Sequence, residues 1–353
     1  MASISRTPEG RYRVLWRELG IKRQKNFKTK AEAKKFQALK ELSPQAQGAH
    51  MSVAQLLVEY RDKETPSKAS ARTETLRINA LLERTFTRLS LGTISAADIE
   101  DYAKERAKEP SKKYPGLISP STILKEVKLL SVIFSYAQRR GLMAHNPAKE
   151  SKKPLEALPR ERTASDEDIQ KLLVSSGWDG KCVPRNEVEL TMAAFLLSCA
   201  TGMRSGEILK LEEAWLDGHV AHLPSEATKT RRSRDVALSS EALRIIGLVK
   251  ERGSRPQIFG ELGEKVRDTL WRKIRNRAGL GPVLDSKGRV VKEGLNFHDG
   301  RATFCTWAAS PDPKTGAPRL DVLALARQTG HQNLKNLMRY YRPDAEVTAS
   351  RLG

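Results

Sequence analysis

A proline-rich basic segment, LMAHNPAKESKKPLEALPRERTAS (residues 142–165), divides the chain into two parts with different hydrophobic patterns. Its Asn-Pro, Lys-Lys-Pro and Leu-Pro steps interrupt helices, because proline lacks an amide hydrogen and restricts the residue before it. The pattern of the roughly hundred residues before this segment is helical, and the pattern after it mixes helices and strands. Since 353 residues are also long for one compact core, we expect more than one domain.

Residues 52–147 show helical periodicity throughout. The clearest helix is SPSTILKEVKLLSVIFSYAQRRG, which has a Ser-Pro start, apolar residues at helical spacing and Gly141 at its end. These patterns predict an all-helical domain at residues 50–150, followed by a basic linker at residues 151–164.

Residues 1–48 predict a separate small module of three strands and a helix. GRYRVLWREL alternates apolar residues with arginines, as a strand with one solvated face does, and KTKAEAKKFQALKEL predicts a short helix. The module is strongly basic, which is consistent either with a solvated charged surface or with a DNA contact. Its candidate DNA-binding side chains are Arg13, Lys22, Arg23, Lys25 and Lys28.

The charge of the whole chain indicates the class of partner. With 63 Lys+Arg against 42 Asp+Glu, the net charge is +21, which favours nucleic acid over an anionic membrane surface. The chain starts without the apolar stretch of a secretory signal, and its longest apolar run, around MAAFLL, is too short to span a bilayer. Three scattered cysteines fit a reducing cytoplasm and have no metal-ligand spacing.

Two arginines of residues 165–353 lie where apolar segments should pack. In ATGMRSGEI, Arg204 and Glu207 stand three residues apart at the start of a helix, on one face. In FHDGRATFCTWAA, Arg301 is in register with Phe297 and Phe304 and should therefore point inward. An unpaired buried arginine is costly, so each of the two either meets a carboxylate or faces an external anion.

Two further candidates are weaker on their own. HVAHLP and SRDVALS predict a β-hairpin in which Lys229 stands just before a tip that also carries arginines, a pattern typical of a solvated turn. His298 precedes Arg301 by three residues. A metal at His298 and Asp299 is disfavoured, because no histidine lies four residues away and Arg301 repels a cation.

The segment GHQNLKNLMRYY places His331 nine residues before Tyr340. Nine residues of continuous helix turn through roughly 900°, so the two side chains would lie on opposite faces. If they share a site, the helix must break near Asn333–Asn336. Tyr341 continues an apolar stripe and should pack inward, whereas Tyr340 lies about 100° from it. The other members of the stripe are Leu334, Leu337 and Met338.

Taken together, these segments resemble the conserved boxes of the tyrosine site-specific recombinases, the phage integrase family. TGMRSGEILKL is similar to the first arginine box, TKTRRSRDVALS to the lysine hairpin, HDGR to the His-x-x-Arg box and GHQNLKNLMRYY to the Gly-His…Tyr box. They follow the family order across about 140 residues, and the hairpin also resembles that of shufflon-type DNA invertases. Gly300 stands where the family commonly has a larger apolar residue, which predicts a looser helix there.

The resemblance implies a multidomain, mainly α fold with small β elements. Residues 1–48 would be an arm-type DNA-binding module, residues 50–150 a helical core-binding domain, and residues 165–353 a mixed α+β catalytic domain. It also implies DNA cleavage through a 3′-phosphotyrosyl intermediate, without a cofactor or metal. The implied catalytic residues are Arg204, Lys229, His298, Arg301, His331 and Tyr340, with Glu207 in support.

The implied partner is double-stranded DNA with specific recombination sites, bound by a homotetramer with the help of accessory DNA-bending proteins. The outcome would be integration, excision or inversion of a DNA segment, in the cytoplasm and nucleoid of a prokaryotic host. Two alternatives stay open at this point: a type IB topoisomerase-like enzyme, and a non-catalytic architectural DNA-binding protein.

Overall fold

The chain divides into two units, Met1–Leu158 and Pro159–Gly353, in its computed structural model. The division falls inside the predicted linker, and each unit has hydrophobic clusters of its own. The side chains of residues 16–18, 21–23 and 39–41 lie outside the description. The described residues are 3–8, 10–18, 21–41, 51–111, 116–154, 162–253, 255–260, 262–286, 290–341 and 349.

The N-terminal residues form a three-stranded antiparallel sheet with a helix packed on it, as predicted. Its elements are β1 (Ser3–Arg6), β2 (Tyr12–Glu18), β3 (Ile21–Phe27) and α1 (Lys30–Glu41), with the strands in the order β1-β2-β3. The core of this module is small. Val14 and Ala33 are fully buried, and the rings of Phe27 and Phe36 lie 4.9 Å apart.

The other described elements of the first unit are helices, and sequence signals explain where they begin. Ser52 and Gln55 form a capping box at the start of α2, in which each side chain bonds the other's backbone amide. Pro120 occupies the first turn of the longest helix, after the N-cap Ser119. The elements are α2 (Val53–Lys63), α3 (Ala71–Leu82), a 3₁₀ turn (Thr85–Arg88), α4 (Ala96–Arg106), α5 (Pro120–Arg139) and α6 (Pro147–Glu150).

The second unit combines helices with two small antiparallel sheets. The first sheet has the order β4-β5-β6, and β5 and β6 are the hairpin that the sequence predicts. The elements are α7 (Asp166–Ser176), α8 (Glu187–Thr201), α9 (Ser205–Leu209), β4 (Leu216–Asp217), β5 (Val220–Leu223), β6 (Arg234–Ala237), α10 (Ser240–Lys250), α11 (Glu264–Arg277), β7 (Val283–Leu284), β8 (Val290–Lys292), α12 (Asp299–Ala309), α13 (Val322–Thr329) and α14 (Lys335–Met338). Short 3₁₀ turns at Glu213–Trp215 and Ser225–Ala227 complete it.

Helix α8 is the centre of the second unit. It is apolar on all sides, and α7, α9, α10, α11 and α12 all contact it. Phe195 in its middle stacks on Trp271 at 4.3 Å between ring centroids and meets Phe297 edge-on at 5.7 Å. Because α8 is fixed from every direction, its C-terminal end is a rigid support for the residues that follow it.

Two features differ from the sequence prediction. The β7–β8 hairpin was not predicted, because its aliphatic residues are all exposed and its strands are too short to show a period. The predicted stripe before Tyr341 is wrong in part: Leu337 is fully buried, but Leu334 is 40% and Met338 66% exposed. A helix of a single turn, α14, can bury only the side that faces its support. None of the helices in the described ranges has the length and apolar character needed to cross a membrane.

Candidate active site

Helix α8 ends at Gly202, and this end supports a buried arginine. Gly202 has φ 70°, in the left-handed region, and its carbonyl oxygen accepts a hydrogen bond of 2.7 Å from Nη1 of Arg301. A Cβ atom at position 202 would lie 2.5 Å from Cδ1 of Phe304 on α12. Glycine is therefore required both for the backbone conformation and for the close approach of α12.

Arg301 is only 3% exposed, as its register with Phe297 and Phe304 predicted. Its Nη2 atom lies 3.2 Å from Nδ1 of His331, and among the described residues it has no ion pair with a carboxylate. Burial, followed by the charge of nearby Arg204, lowers the pKa of Arg301 to about 10. Because a buried guanidinium without an ion-pair partner is costly, the arrangement favours an external anion.

Glu207 is 1% exposed and lies between two arginines. Arg204 donates to it from its backbone amide at 2.7 Å and from Nη1 at 3.0 Å. Arg234 binds it with both terminal nitrogens, at 2.9 and 2.8 Å. Burial by itself raises the pKa of Glu207, but the hydrogen bond and charge of Arg234, and then those of Arg204, hold it below its usual value. The carboxylate is therefore fully ionised and fully paired.

The backbone between α13 and α14 brings His331 to the arginines. Helix α13 ends at Gly330, with φ 68°, and the amide of His331 donates to Ala326 O at 3.0 Å. Asn333 Oδ1 then accepts from the amide of Lys335 at the start of α14. The predicted break between His331 and Tyr340 is confirmed. Gly330 O also accepts a hydrogen bond of 3.2 Å from Arg204, so the break and the first arginine are directly joined.

The two histidines are both held in the neutral form. Burial, and then the charges of Arg301 and Arg204, lower the pKa of His331 to about 3. Its Nδ1 atom lies 2.7 Å from the Thr329 hydroxyl, which fixes the ring. His298 stands at the N-cap of α12 and is exposed, yet shielding by the surrounding protein and then the charge of Arg301 lower its pKa as well.

The adjacent tyrosines have different hydroxyl partners. The Tyr340 hydroxyl accepts a hydrogen bond of 2.6 Å from Arg339, whose guanidinium also lies 4.7 Å from the ring centroid. The Tyr341 hydroxyl donates to the carbonyl oxygen of Leu320, which anchors it to the start of α13. Both rings pack against the cluster around Leu337, so Tyr340 is half-buried rather than fully turned away from it. Burial first, and then Cys305, raise the pKa of Tyr340.

Some predicted residues are not part of this cluster. Lys229 is exposed in the turn between β5 and β6, and the structure shows no contact between it and Arg204, Arg301 or His331. Gly300 does not loosen α12, because Phe195 occupies the space where a side chain would lie, 3.0 Å from a Cβ atom built there.

The N-terminal candidates do not share one surface. Arg13 pairs with Asn26 across β2 and β3, whereas Lys25 pairs with the buried Val14 and so lies on the opposite face of the sheet. Lys25 instead covers the ring of Phe36, at 5.2 Å from its centroid. Lys28 is exposed beyond the strand, and the side chains of Lys22 and Arg23 lie outside the described residues.

Sequence reasoning missed two residues of the site, Arg234 and Gln328. Gln328 is 8% exposed, and its amide bonds the carbonyl oxygens of Thr201 and Ala237 and the amide of Ala237. Signals existed for both. Arg234 lies on the same face of β6 as buried Val236, and Gln328 lies one helical turn after buried Leu325. Across the described residues, no group of three or more His, Cys, Asp or Glu is placed to hold a metal ion.

We expect Gly202→Ala to destabilise the protein more than Gly177→Ala does. Gly177 ends α7 at φ 74° with open space around it, so alanine there carries only the left-handed backbone cost, about 1–2 kcal/mol. At position 202 the Cβ atom also meets Phe304, which adds about 1–3 kcal/mol of overpacking. Urea unfolding of both variants measures the difference, and equal losses would contradict the described approach of α12.

The lowered pKa predicts that His331 stays neutral down to mildly acidic pH. Its ring signals in NMR, assigned by loss in His331→Gln, should not change between pH 7.5 and 5, because the folded-state pKa is about 3. A titration midpoint near 6.5, the value of a free histidine, would show that Arg301 and burial do not act on it as described.

The chain is similar to known integrases and recombinases in both sequence and fold. Residues 184–346 match the sequence profile of the phage integrase family. Over 357 residues the chain is 28% identical to an integrase/recombinase of Haemophilus influenzae, covering 98% of this chain and 88% of that protein. It is 26% identical over 293 residues to the shufflon-specific DNA recombinase of Escherichia coli, covering 82% of this chain and 68% of that protein.

The fold is also similar to that of lambda integrase in a tetramer bound to a Holliday junction. The TM-score is 0.62 at 15% identity, and the match covers 94% of this chain and 95% of that chain. The multidomain, mainly α fold and the resemblance stated from the sequence are confirmed, and the comparisons favour neither the topoisomerase nor the architectural protein. Residues 184–346 thus match the phage integrase family, and over most of its length the chain is similar to an integrase/recombinase and to a shufflon-specific DNA recombinase.

Proposed function

We propose that this protein cuts and rejoins specific DNA sites through a covalent bond between Tyr340 and the 3′-phosphate of the cleaved strand. The observation that carries the proposal is the buried Arg301, which forms no ion pair with a carboxylate of the described residues and lies beside Arg204 and His331. The positive charge at this site exceeds the negative charge, and the phosphodiester of DNA can supply the missing anion.

The arginines stabilise the reacting phosphate. Arg301 and Arg204 each carry planar guanidinium donors that suit the non-bridging phosphate oxygens, and negative charge on those oxygens grows in the transition state. Gly202 and Gly330 hold the two side chains through their carbonyl oxygens, at 2.7 and 3.2 Å. Donors fixed in this way need no rearrangement when the charge develops, which is the basis of electrostatic preorganisation.

The proton transfers can be assigned to neutral and cationic groups. Tyr340 must lose its hydroxyl proton to attack phosphorus, and His298 can accept it because its lowered pKa keeps it neutral. The bond between phosphorus and the 5′-oxygen breaks, and Lys229 gives a proton to that oxygen. His331 hydrogen-bonds the scissile phosphate, whose negative charge favours proton uptake by its ring. The phosphotyrosine keeps the bond energy for rejoining.

Two of these roles require side chains to leave the positions that they have in the free protein. Tyr340 is bonded to Arg339 rather than to the phosphate site, and burial raises its pKa. Lys229 lies on an exposed turn. We propose that DNA binding brings the turn onto the cleaved strand and releases Tyr340 from Arg339, so that the nucleophile and the acid meet only on DNA.

Two observations support a proposal for the assembly on DNA: the net charge of the chain and its similarity to known recombinases. The net charge of +21 suits a large phosphate contact, and the related lambda integrase forms a tetramer on a Holliday junction. We propose a homotetramer on paired recombination sites, assisted by DNA-bending proteins in the nucleoid. The shufflon-specific relative is a reason to include inversion beside integration and excision among the outcomes.

We expect Tyr340→Phe to lose all covalent protein–DNA adduct, because the nucleophilic oxygen is removed. Sheared genomic DNA of the host is incubated with the purified protein, adducts are isolated in detergent, and the attached DNA is sequenced to give the cleavage site. A nicked duplex of that site then serves as a suicide substrate for the variants.

Tyr341→Phe is the matched control, since it removes only the bond to Leu320 and should keep the adduct. Adduct formed by Tyr340→Phe would contradict the assignment of the nucleophile. Relaxation of supercoiled DNA by the wild type without strand exchange would favour the topoisomerase, and DNA binding without adduct would favour the architectural protein.

A further inference from the structure

We infer that Arg234 is a positioning residue that neutralises Glu207 and thereby leaves the charge of Arg204 available to the scissile phosphate. This inference rests on the proposed function, because it concerns the same phosphate site. Arg234 is the first residue of β6, and its side chain is 10% exposed, so it is placed beneath the site rather than open to the DNA.

The geometry divides Glu207 between the two arginines. Arg234 takes both carboxylate oxygens in a parallel, two-pronged contact at 2.9 and 2.8 Å. Arg204 takes one oxygen with Nη1, at 3.0 Å, and the other with its backbone amide. Among the described residues, its Nη2 donates a hydrogen bond only to the Gly330 carbonyl oxygen, at 3.2 Å. The strong bidentate contact therefore belongs to Arg234, and Arg204 is held by single bonds.

Charge balance explains why this division matters. Glu207 carries one negative charge and Arg234 one positive charge, so the pair is neutral and the charge of Arg204 is left over. Without Arg234, the buried carboxylate would have only Arg204 as a cation, and burial would penalise any movement of Arg204 away from it. The charge of Arg204 would then neutralise Glu207 instead of the phosphate. The role of Arg234 is thus to neutralise Glu207, so that the positive charge of Arg204 is not used up by this carboxylate.

Arg234 also fixes the parts of the site relative to one another. Its Nε donates to Gln328 O at 3.3 Å, and Gln328 binds the backbone of Ala237 on the same strand. A Cβ atom at Gly330 would lie 3.1 Å from Cδ of Arg234, so the end of α13, just before His331, lies directly against this side chain. Arg234 therefore links the β5–β6 hairpin to Arg204, through Glu207, and to the end of α13 that precedes His331.

The test compares Arg234→Gln with a charge-matched double variant, Arg234→Gln with Glu207→Gln. The readout is the rate of adduct formation on the suicide duplex at saturating DNA. We expect Arg234→Gln to be slower by about 10- to 100-fold, as for a displaced catalytic group. The double variant removes one charge of each sign, frees Arg204 again and should be faster than the single variant. Arg234→Lys keeps the charge without the two-pronged contact and should fall between wild type and Arg234→Gln.

The control for stability is Arg185→Gln. Arg185 also pairs with a buried glutamate, Glu189, at 2.7 Å, but on the far end of α8 from Gly202. It should lower the thermal midpoint without changing the rate at saturating DNA. Equal rates for wild type and Arg234→Gln, or a double variant no faster than the single one, would overturn the inference. Absence of adduct with the wild type would instead contradict the proposed function, and the inference with it.

Discussion

The buried guanidinium of Arg301 is the interaction on which the rest of the site depends. It is held by the Gly202 carbonyl and faces His331, and it forms no ion pair with a carboxylate of the described residues. Several features follow from this placement. α8 must end in a glycine so that α12 can approach, and the helix before His331 must end early so that the ring reaches Arg301. In the proposed function, the phosphate of DNA becomes the ionic partner that this guanidinium lacks.

The same constraint explains the acid–base properties of the neighbouring groups. Burial first, and then the positive charge that attracts a phosphate, lower the pKa of His331 and His298, so both rings are neutral in the free protein. Neutral histidines do not add to the repulsion between Arg204 and Arg301. A bound phosphodiester would act in the opposite direction, since its negative charge favours protonation of the two histidine rings. In the proposed function, the site is therefore adapted to the charge of its substrate.

Much of the site could be predicted because its signals are local. The inward register of Arg301, the β5–β6 hairpin and the break between His331 and Tyr340 follow from periods of two and 3.6 residues and from glycine at a helix end. The roles of Arg234 and Gln328 were not predicted, because both act through partners far away in sequence. Leu334 and Met338 were wrongly expected to be buried, since periodicity does not show how little support a one-turn helix has.

The most direct test of this account is to identify the residue that carries the DNA. Wild-type protein trapped on the suicide duplex is digested with nuclease and protease, and tandem mass spectrometry locates the phosphorylated side chain. The account predicts phosphotyrosine at Tyr340, with Tyr341 unmodified. A phosphate on Tyr341, or on a serine or threonine, would contradict it.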